Sequence, residues 1–325
     1  MDINAYIGHE SQICCVEEMR LVGGKGDGMR LLQVRNAAGL EFSISADRCA
    51  DISRVIFKGD NMGYFAPCGY VAPVYYDQHG NQFLKSFTAG FLTTCGLTAA
   101  GAPCVDNGEA VPMHGTISNT PCDRIWWEET DDEIIIHARI NHGQIFKEKL
   151  LMERKIACGK HANILTISDT ITNIGSEPCP LMIMYHMNMG YPLLSEKSIV
   201  QIPSNTIVPR DECAAKGLSN WDQVEEPRVG FSEQCFYHTF DDTGKASIYN
   251  PDIRKGLEIS FDPLQLPCFT QWKMMGVRDY VLGLEPGNCF PDGRDIMRKQ
   301  GKLQFIQPGD SRNFWVTVQF KTAIE

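Results

Sequence analysis

In Phe314-Trp315-Val316-Thr317-Val318-Gln319-Phe320, the two Phe and two Val fall on one side of an extended chain, with Trp, Thr and Gln on the other. Leu257, Ile259 and Phe261 alternate with Glu258, Ser260 and Asp262, and Leu40, Phe42 and Ile44 with Glu41, Ser43 and Ser45. Successive side chains of a strand point to opposite faces, so this period of two predicts half-buried antiparallel strands. Further strand-like runs cover Ile134 to Ile140, Asn163 to Thr172, Leu181 to Tyr185 and Tyr280 to Leu284. Turn clusters separate them, among them Asn36-Ala37-Ala38-Gly39, Asp241-Asp242-Thr243-Gly244 and Gln307-Pro308-Gly309-Asp310. Helical periodicity is nearly absent, with Asp211 to Gly217 as one short candidate. Residues 59–84 and 95–123 carry little periodicity and predict long irregular loops, a common location of function. Strand patterns continue from beginning to end without a linker, low-complexity break or short repeat. They predict one all-β domain over residues 1–325, a large sandwich or distorted barrel.

Composition narrows the function classes. Over 325 residues the chain is 43% hydrophobic and 22% charged, the balance of a globular protein with a large core. A net charge of -10 leaves no basic footprint for nucleic acid and no polybasic segment for an anionic membrane. No apolar run is long enough to span a bilayer, and MDINAYIGHESQICC lacks the basic and apolar regions of a secretory signal. The 13 cysteines are odd in number and contain no C-x-x-C pair, so they read as reduced, mostly buried thiols of a cytoplasmic protein.

The candidate chemistry begins at "VLGLEPGNCFPDGR", residues 281–294, where an apolar run ends on Glu285 before Pro286 and Gly287. Glu285 reads either as the first exposed residue after a core strand or as a carboxylate delivered into a cleft. His114 in "PMHGTISN" stands beside a glycine that permits close backbone approach, and His186 in "LMIMYHMNMGYPLL" ends an apolar run beside Asn188 and Gly190. Each histidine reads as structural or catalytic when taken alone. Trp272 in "FTQWKMMG" reads as core or as a platform for a sugar face. Asp106, Glu109 and His114 share the second long loop, but their spacing matches no defined metal site, and no metal is predicted. The crowded glycines of "GGKGDGMR" lack the dinucleotide-binding spacing, and neither a phosphate loop nor a nucleophile elbow occurs.

Together these segments resemble aldose 1-epimerases, the galactose mutarotases. "LGLEPGNCFPDGRD" resembles their late Leu-Glu signature, "PMHGTISN" their His-Gly segment and "YHMNMGYPLL" their central histidine segment, in the family's order. The likeness is closer to the DUF4432 branch of that superfamily, through "ISADRCADIS", "GFLTTCGL", "HGTISNTP", "YHMNMGYPLL" and "YVLGLEP", and covers most of residues 40–320. It implies a galactose mutarotase-like β-supersandwich, mostly antiparallel with few short helices. It also implies Glu285 as catalytic base, His186 as catalytic acid and His114 as a substrate-binding residue. Arg48 stands in for the family's early sugar-binding arginine, with an internal salt bridge to Asp47 or Asp51 as its other reading. Trp272, Asn188, Asp106 and Glu109 complete the expected substrate contacts. Three features depart from the classical pattern: the central motif, the missing Asn-Arg dipeptide and the loop from Asp106 to His114.

The implied reaction interconverts sugar anomers by acid–base ring opening, without cofactor or metal. The expected partner is a small monosaccharide, neutral or deoxy, with a uronate as runner-up on the strength of Arg48 and Arg294; no nucleic acid or membrane is expected, and a homodimer stays open. Two rival functions remain: epimerisation or isomerisation at another carbon of a keto sugar or uronate, and carbohydrate binding without catalysis. The fold alone does not choose among them.

Overall fold

The computed structural model describes residues 5–323, and its paired strands run antiparallel in three large sheets. The largest has eight strands in the order Arg124–Glu129, Glu133–Gly143, Lys149–Gly159, Ile164–Asn173, Ser311–Lys321, Lys255–Phe261, Gly244–Asn250 and Ile199–Gln201. A second sheet runs Thr206–Pro209, Gln234–Thr239, Cys268–Met275, Tyr280–Gly287, Cys179–Met189 and Gln304–Ile306, with Leu92–Leu97 also paired to Cys179–Met189. An N-terminal sheet orders Cys15–Arg20, Arg30–Arg35, Leu40–Ser45, Asp51–Phe57 and Asp60–Asn61. Each run expected from alternation falls mostly within one of these strands, most of which extend beyond it at one or both ends.

The outer strands keep the alternation that identifies them. In Glu133–Gly143, Ile134, Ile136, Ala138 and Ile140 are buried, while Arg139 and Asn141 face out. Strand Cys179–Met189 has no such alternation because both of its faces are covered, which makes a strand read as a continuous apolar run. Leu181, Ile183, Tyr185 and Met187 enter the main core with Ile156, Ile167, Val316 and Val318 of the eight-stranded sheet. On its other face Met182 and Met184 pack with Cys95, Cys289 and Met297. His186 and Asn188 lie on this second face, which becomes the site.

One polar cluster ties the three sheets together inside the core. Arg154 donates to both carboxylate oxygens of Asp169 at 2.8 Å and to Asp51 Oδ1 at 2.9 Å. Tyr185 donates its hydroxyl to Asp169 at 2.7 Å, and Thr94 donates its own to Asp51 at 2.6 Å. A buried charge is tolerable only when paired and hydrogen-bonded, and here each partner satisfies the other.

The expected short helix forms over Glu212–Gly217, where Asp211 caps the N-terminus by accepting from the Ala214 N–H at 2.9 Å. A second helix, Arg294–Lys299, was not expected; six residues are too few to display a helical period. The two long loops are more ordered than their sequences indicate. Residues 59–84 contain Asp60–Asn61, Tyr64–Phe65 and two 3₁₀ turns, and residues 95–123 contain the hairpin of Cys104–Asp106 and Glu109–Val111. All 13 cysteines are free thiols. Among the described residues no helix is long and apolar enough to cross a membrane.

Candidate active site

Strand Tyr280–Gly287 does not end at Glu285, contrary to the turn expected there. Pro286 and Gly287 remain in the ladder, opposite Phe269 and Cys268. On the other side, Met184 faces Gly287 and Met187 faces Leu284, a register that sets His186 opposite Glu285. Pro286 has no N–H to give, and the pairing skips Tyr185 and His186. Directly opposed residues are the closest neighbours across a sheet. His186 Nε2 accordingly lies 3.2 Å from Glu285 Oε1.

Gly283 makes this approach possible. A Cβ at that position would meet Glu285 Oε1 at 2.2 Å and Trp272 Cβ at 3.0 Å. The missing side chain lets the carboxylate lie back over the sheet, toward the histidine.

The pair lines a cavity of about 350 Å³. Its apolar wall includes Phe83, Leu84, Phe87, Met113 and Pro291, and its polar groups include His114, Thr270, Trp272, Arg210 and Glu233. Thr270 is the cross-strand neighbour of Glu285 on the other side, and its buried hydroxyl has no partner. Trp272 sets its ring edge-on to His186 at 5.4 Å and donates its indole N–H to Glu233 at 2.9 Å. Arg210 holds Glu233 at 3.0 Å, Asp211 at 3.0 Å and the Cys235 sulfur at 3.0 Å.

His114 reaches the cavity from the second long loop with φ 55°, a left-handed backbone followed by Gly115 at φ 69°. A Cβ on Gly115 would meet the Gly96 carbonyl oxygen at 2.2 Å, the physical content of the His-Gly pair. The His114 amide donates to the Gly101 carbonyl at 2.8 Å. Its ring Nδ1 accepts the Gly101 N–H at 3.3 Å, which leaves the proton of the neutral ring on Nε2. The His114 and His186 rings are 5.6 Å apart.

Burial governs the protonation of these groups. It lifts the Glu285 carboxyl well above the ordinary carboxylate range, with repulsion from Glu233 added and Arg210 opposing. It pushes His186 well below the usual histidine value, and His114 adds to that push. His114 itself is pushed down to about 4 by burial, which Glu233 partly opposes. Burial thus favours the neutral form of both groups, the carboxyl with its proton and the imidazole without a second one.

Four expected contacts lie elsewhere. Arg48 is buried outside the cavity, donating to the carbonyls of Ser118 at 3.0 Å, Val71 at 3.1 Å and Ser86 at 2.7 Å. Its role is to satisfy loop backbone; the salt-bridge reading also fails, since Arg48 pairs with neither Asp47, which accepts the Arg30 N–H, nor Asp51, which pairs with Arg154. Asp106 is bound by Arg294 at 2.7 Å and Arg298 at 2.6 Å, and Glu109 pairs with Arg294 and Lys147. These charges neutralise one another on a separate groove, which also removes Arg294 from the site. Asn188 is buried behind His186 rather than lining the cavity. Among the described residues no group of three or more His, Cys, Asp or Glu could hold a metal ion.

Arg210 and Glu233 were missed. Glu233 immediately precedes strand Gln234–Thr239, and nothing local distinguishes a cavity-lining glutamate from a solvated one.

The chain matches the family described as domain of unknown function DUF4432 over residues 26–320. It belongs to that family. No match is found among curated proteins. A protein named a "putative aldose 1-epimerase" from Klebsiella pneumoniae is 28% identical, with TM-score 0.89 over 94% of this chain and 83% of that one. A galactose mutarotase-like protein from Clostridium acetobutylicum has TM-score 0.70 at 13% identity, covering 95% and 99% of the two chains. Galactose 1-epimerase from Lactobacillus acidophilus has TM-score 0.64 at 13% identity, covering 96% and 100%. The last two likenesses establish a shared fold: this DUF4432 protein is an all-β, galactose mutarotase-like sandwich.

Proposed function

We propose that this DUF4432 protein is an isomerase of the aldose 1-epimerase type, interconverting the anomers of a small monosaccharide as one cytoplasmic carbohydrate-active domain. The observation that carries the reading is the opposed pair, His186 Nε2 at 3.2 Å from Glu285 Oε1, lining one cavity. In ring opening, the proton of the pair first passes from the Glu285 carboxyl to Nε2 of His186, 3.2 Å away. Glu285, now a carboxylate, takes the proton of the anomeric hydroxyl, the bond from C1 to the ring oxygen breaks, and His186 gives its Nε2 proton to that oxygen. C1 becomes a carbonyl, turns, and is closed on its other face by the same two groups in reverse. The working form needs one proton in the pair. The rate therefore falls when the pair loses that proton at high pH or gains a second at low pH.

The volume of about 350 Å³ is at the small end of ligand pockets, which run from roughly 300 to 1,000 Å³. That supports a monosaccharide over a longer glycan. Arg210 supports a neutral or deoxy sugar over a uronate, because its donors are already engaged by Asp211, Glu233 and Cys235. The apolar wall favours a sugar that has a deoxy edge. Pure carbohydrate binding would leave the opposed acid and base without a task.

The test is an anomer-exchange survey by NMR over neutral, deoxy and acidic sugars. Glu285→Gln and His186→Ala each lower exchange of the responsive sugar by about 10² to 10⁴, with circular dichroism unchanged. Wild-type rates in either folded variant overturn the reading. Conversion to a different sugar in the same spectra would instead identify epimerisation at another carbon.

A further inference from the structure

Asn188 was expected to touch substrate, and its burial asks for another role. It stands two residues beyond His186 on the same strand, so both side chains share a face. It is fully buried, opposite Gly283 across the ladder. Its Nδ2 donates to the His186 carbonyl at 2.9 Å, which settles which end of the amide is which. The remaining atom, Oδ1, can only accept. It is buried and has no hydrogen-bond partner, and the same holds for Nδ1 of His186. The Asn188 and His186 side chains share one strand face two residues apart, and in this structure no hydrogen bond joins the two atoms. Nε2, the other ring nitrogen, is committed to the side of Glu285.

The carbonyl of His186 itself also lies by the ring but already accepts the Asn188 amide; the other surroundings offer Nδ1 no acceptor. Phe87 and Trp272 present ring edges. Thr93, opposite on strand Leu92–Leu97, spends its hydroxyl on the Ala89 carbonyl at 2.7 Å. The titratable and charged groups around the ring are Glu285 and His114, with Glu233 and Arg210 further out on the same cavity.

We propose that Asn188 is a positioning residue whose Oδ1 holds the proton of neutral His186 on Nδ1, so that Nε2 alone exchanges protons at the site. A neutral imidazole carries one N–H, and an acceptor fixed at Nδ1 selects that tautomer. The proton that His186 later hands over then arrives on Nε2, beside Glu285. The assignment rests on the acid–base reading of His186 and Glu285.

The experiment is ¹⁵N NMR of the protein labelled at histidine, with the His186 signal identified by its loss in His186→Gln. The wild type shows protonated Nδ1 and bare Nε2. Asn188→Leu shows a mixture of tautomers or the opposite one, and kcat for anomer exchange falls about 10- to 100-fold, the usual cost of losing a group that orients a histidine. KM changes little. Asn188→Asp restores the acceptor and adds a negative charge, which moves the acid limb of the kcat–pH profile to higher pH. A wild-type Nε2–H tautomer overturns the assignment with no variant needed. An unchanged tautomer in folded Asn188→Leu does the same. Failure of the acid–base reading is seen separately, as undiminished exchange in His186→Ala.

Discussion

Gly283→Ala tests the geometry of the site at a position that does no chemistry. Its φ is outside the left-handed region, so alanine brings no backbone strain. The added Cβ lies 2.2 Å from Glu285 Oε1, whereas ordinary contact begins at 3.4 Å, so the carboxylate must retreat by about 1.2 Å (3.4 minus 2.2). The contact is with the end of a side chain, and the second one, Trp272 Cβ at 3.0 Å, asks for a shift of a few tenths of an ångström. The stability cost of such overpacking is about 1–3 kcal/mol, which leaves most small-molecule enzymes folded at 25 °C. The catalytic cost is larger in kind. A misplacement of about 1 Å costs on the order of 10² in rate, and the move draws Glu285 out of register with His186. Anomer exchange measured by NMR, beside a urea melt of the same sample, separates the two effects. An exchange rate in Gly283→Ala within threefold of wild type would refute the claim that this glycine seats the Glu285 carboxylate for the proposed reaction. So would a loss fully explained by the unfolded fraction.

Other consequences can be checked on the same material. His238 is fully buried against Trp221 and Phe269, and burial pushes it down to about 4. A depressed histidine leaves stability intact above its unfolded value of about 6.5 and removes it as pH falls toward the folded value, here by about 3 kcal/mol. In His238→Gln the loss of urea stability between pH 7 and pH 4 is smaller than in wild type by about that amount. Asp169→Asn strips a carboxylate from buried Arg154 and lowers stability by about 3–5 kcal/mol, measured by the same melts. Arg48→Ala leaves three loop carbonyls without their donor and costs about 2 kcal/mol or more. KM for the responsive sugar in the folded Arg48→Ala protein matches wild type, because Arg48 does not reach the cavity.

The strands were legible in the sequence because burial on one face writes a local pattern. Phe314, Val316, Val318 and Phe320 show that face whether or not their partners are known. Glu285, His186 and His114 were legible as well, through short segments that resemble a known order of motifs. What those residues do to one another was decided only by the tertiary structure. Nearly a hundred residues separate His186 from Glu285, and their opposition depends on the pairing of two strands whose ladder skips a step. Arg48, Asp106 and Glu109 have the charges of ligand-binding residues, but a charge is free for a ligand only if the fold leaves it unpaired. Here Arg48 is taken up by loop carbonyls, and the two carboxylates by Arg294, Arg298 and Lys147. Arg210 and Glu233 gave no local signal, because an arginine ahead of a short helix and an exposed glutamate just before a strand are ordinary surface residues until the fold brings them to one cavity. Side-chain alternation is a property of neighbours in the chain, while burial of a charge depends on neighbours in space, and only the first can be read one residue at a time.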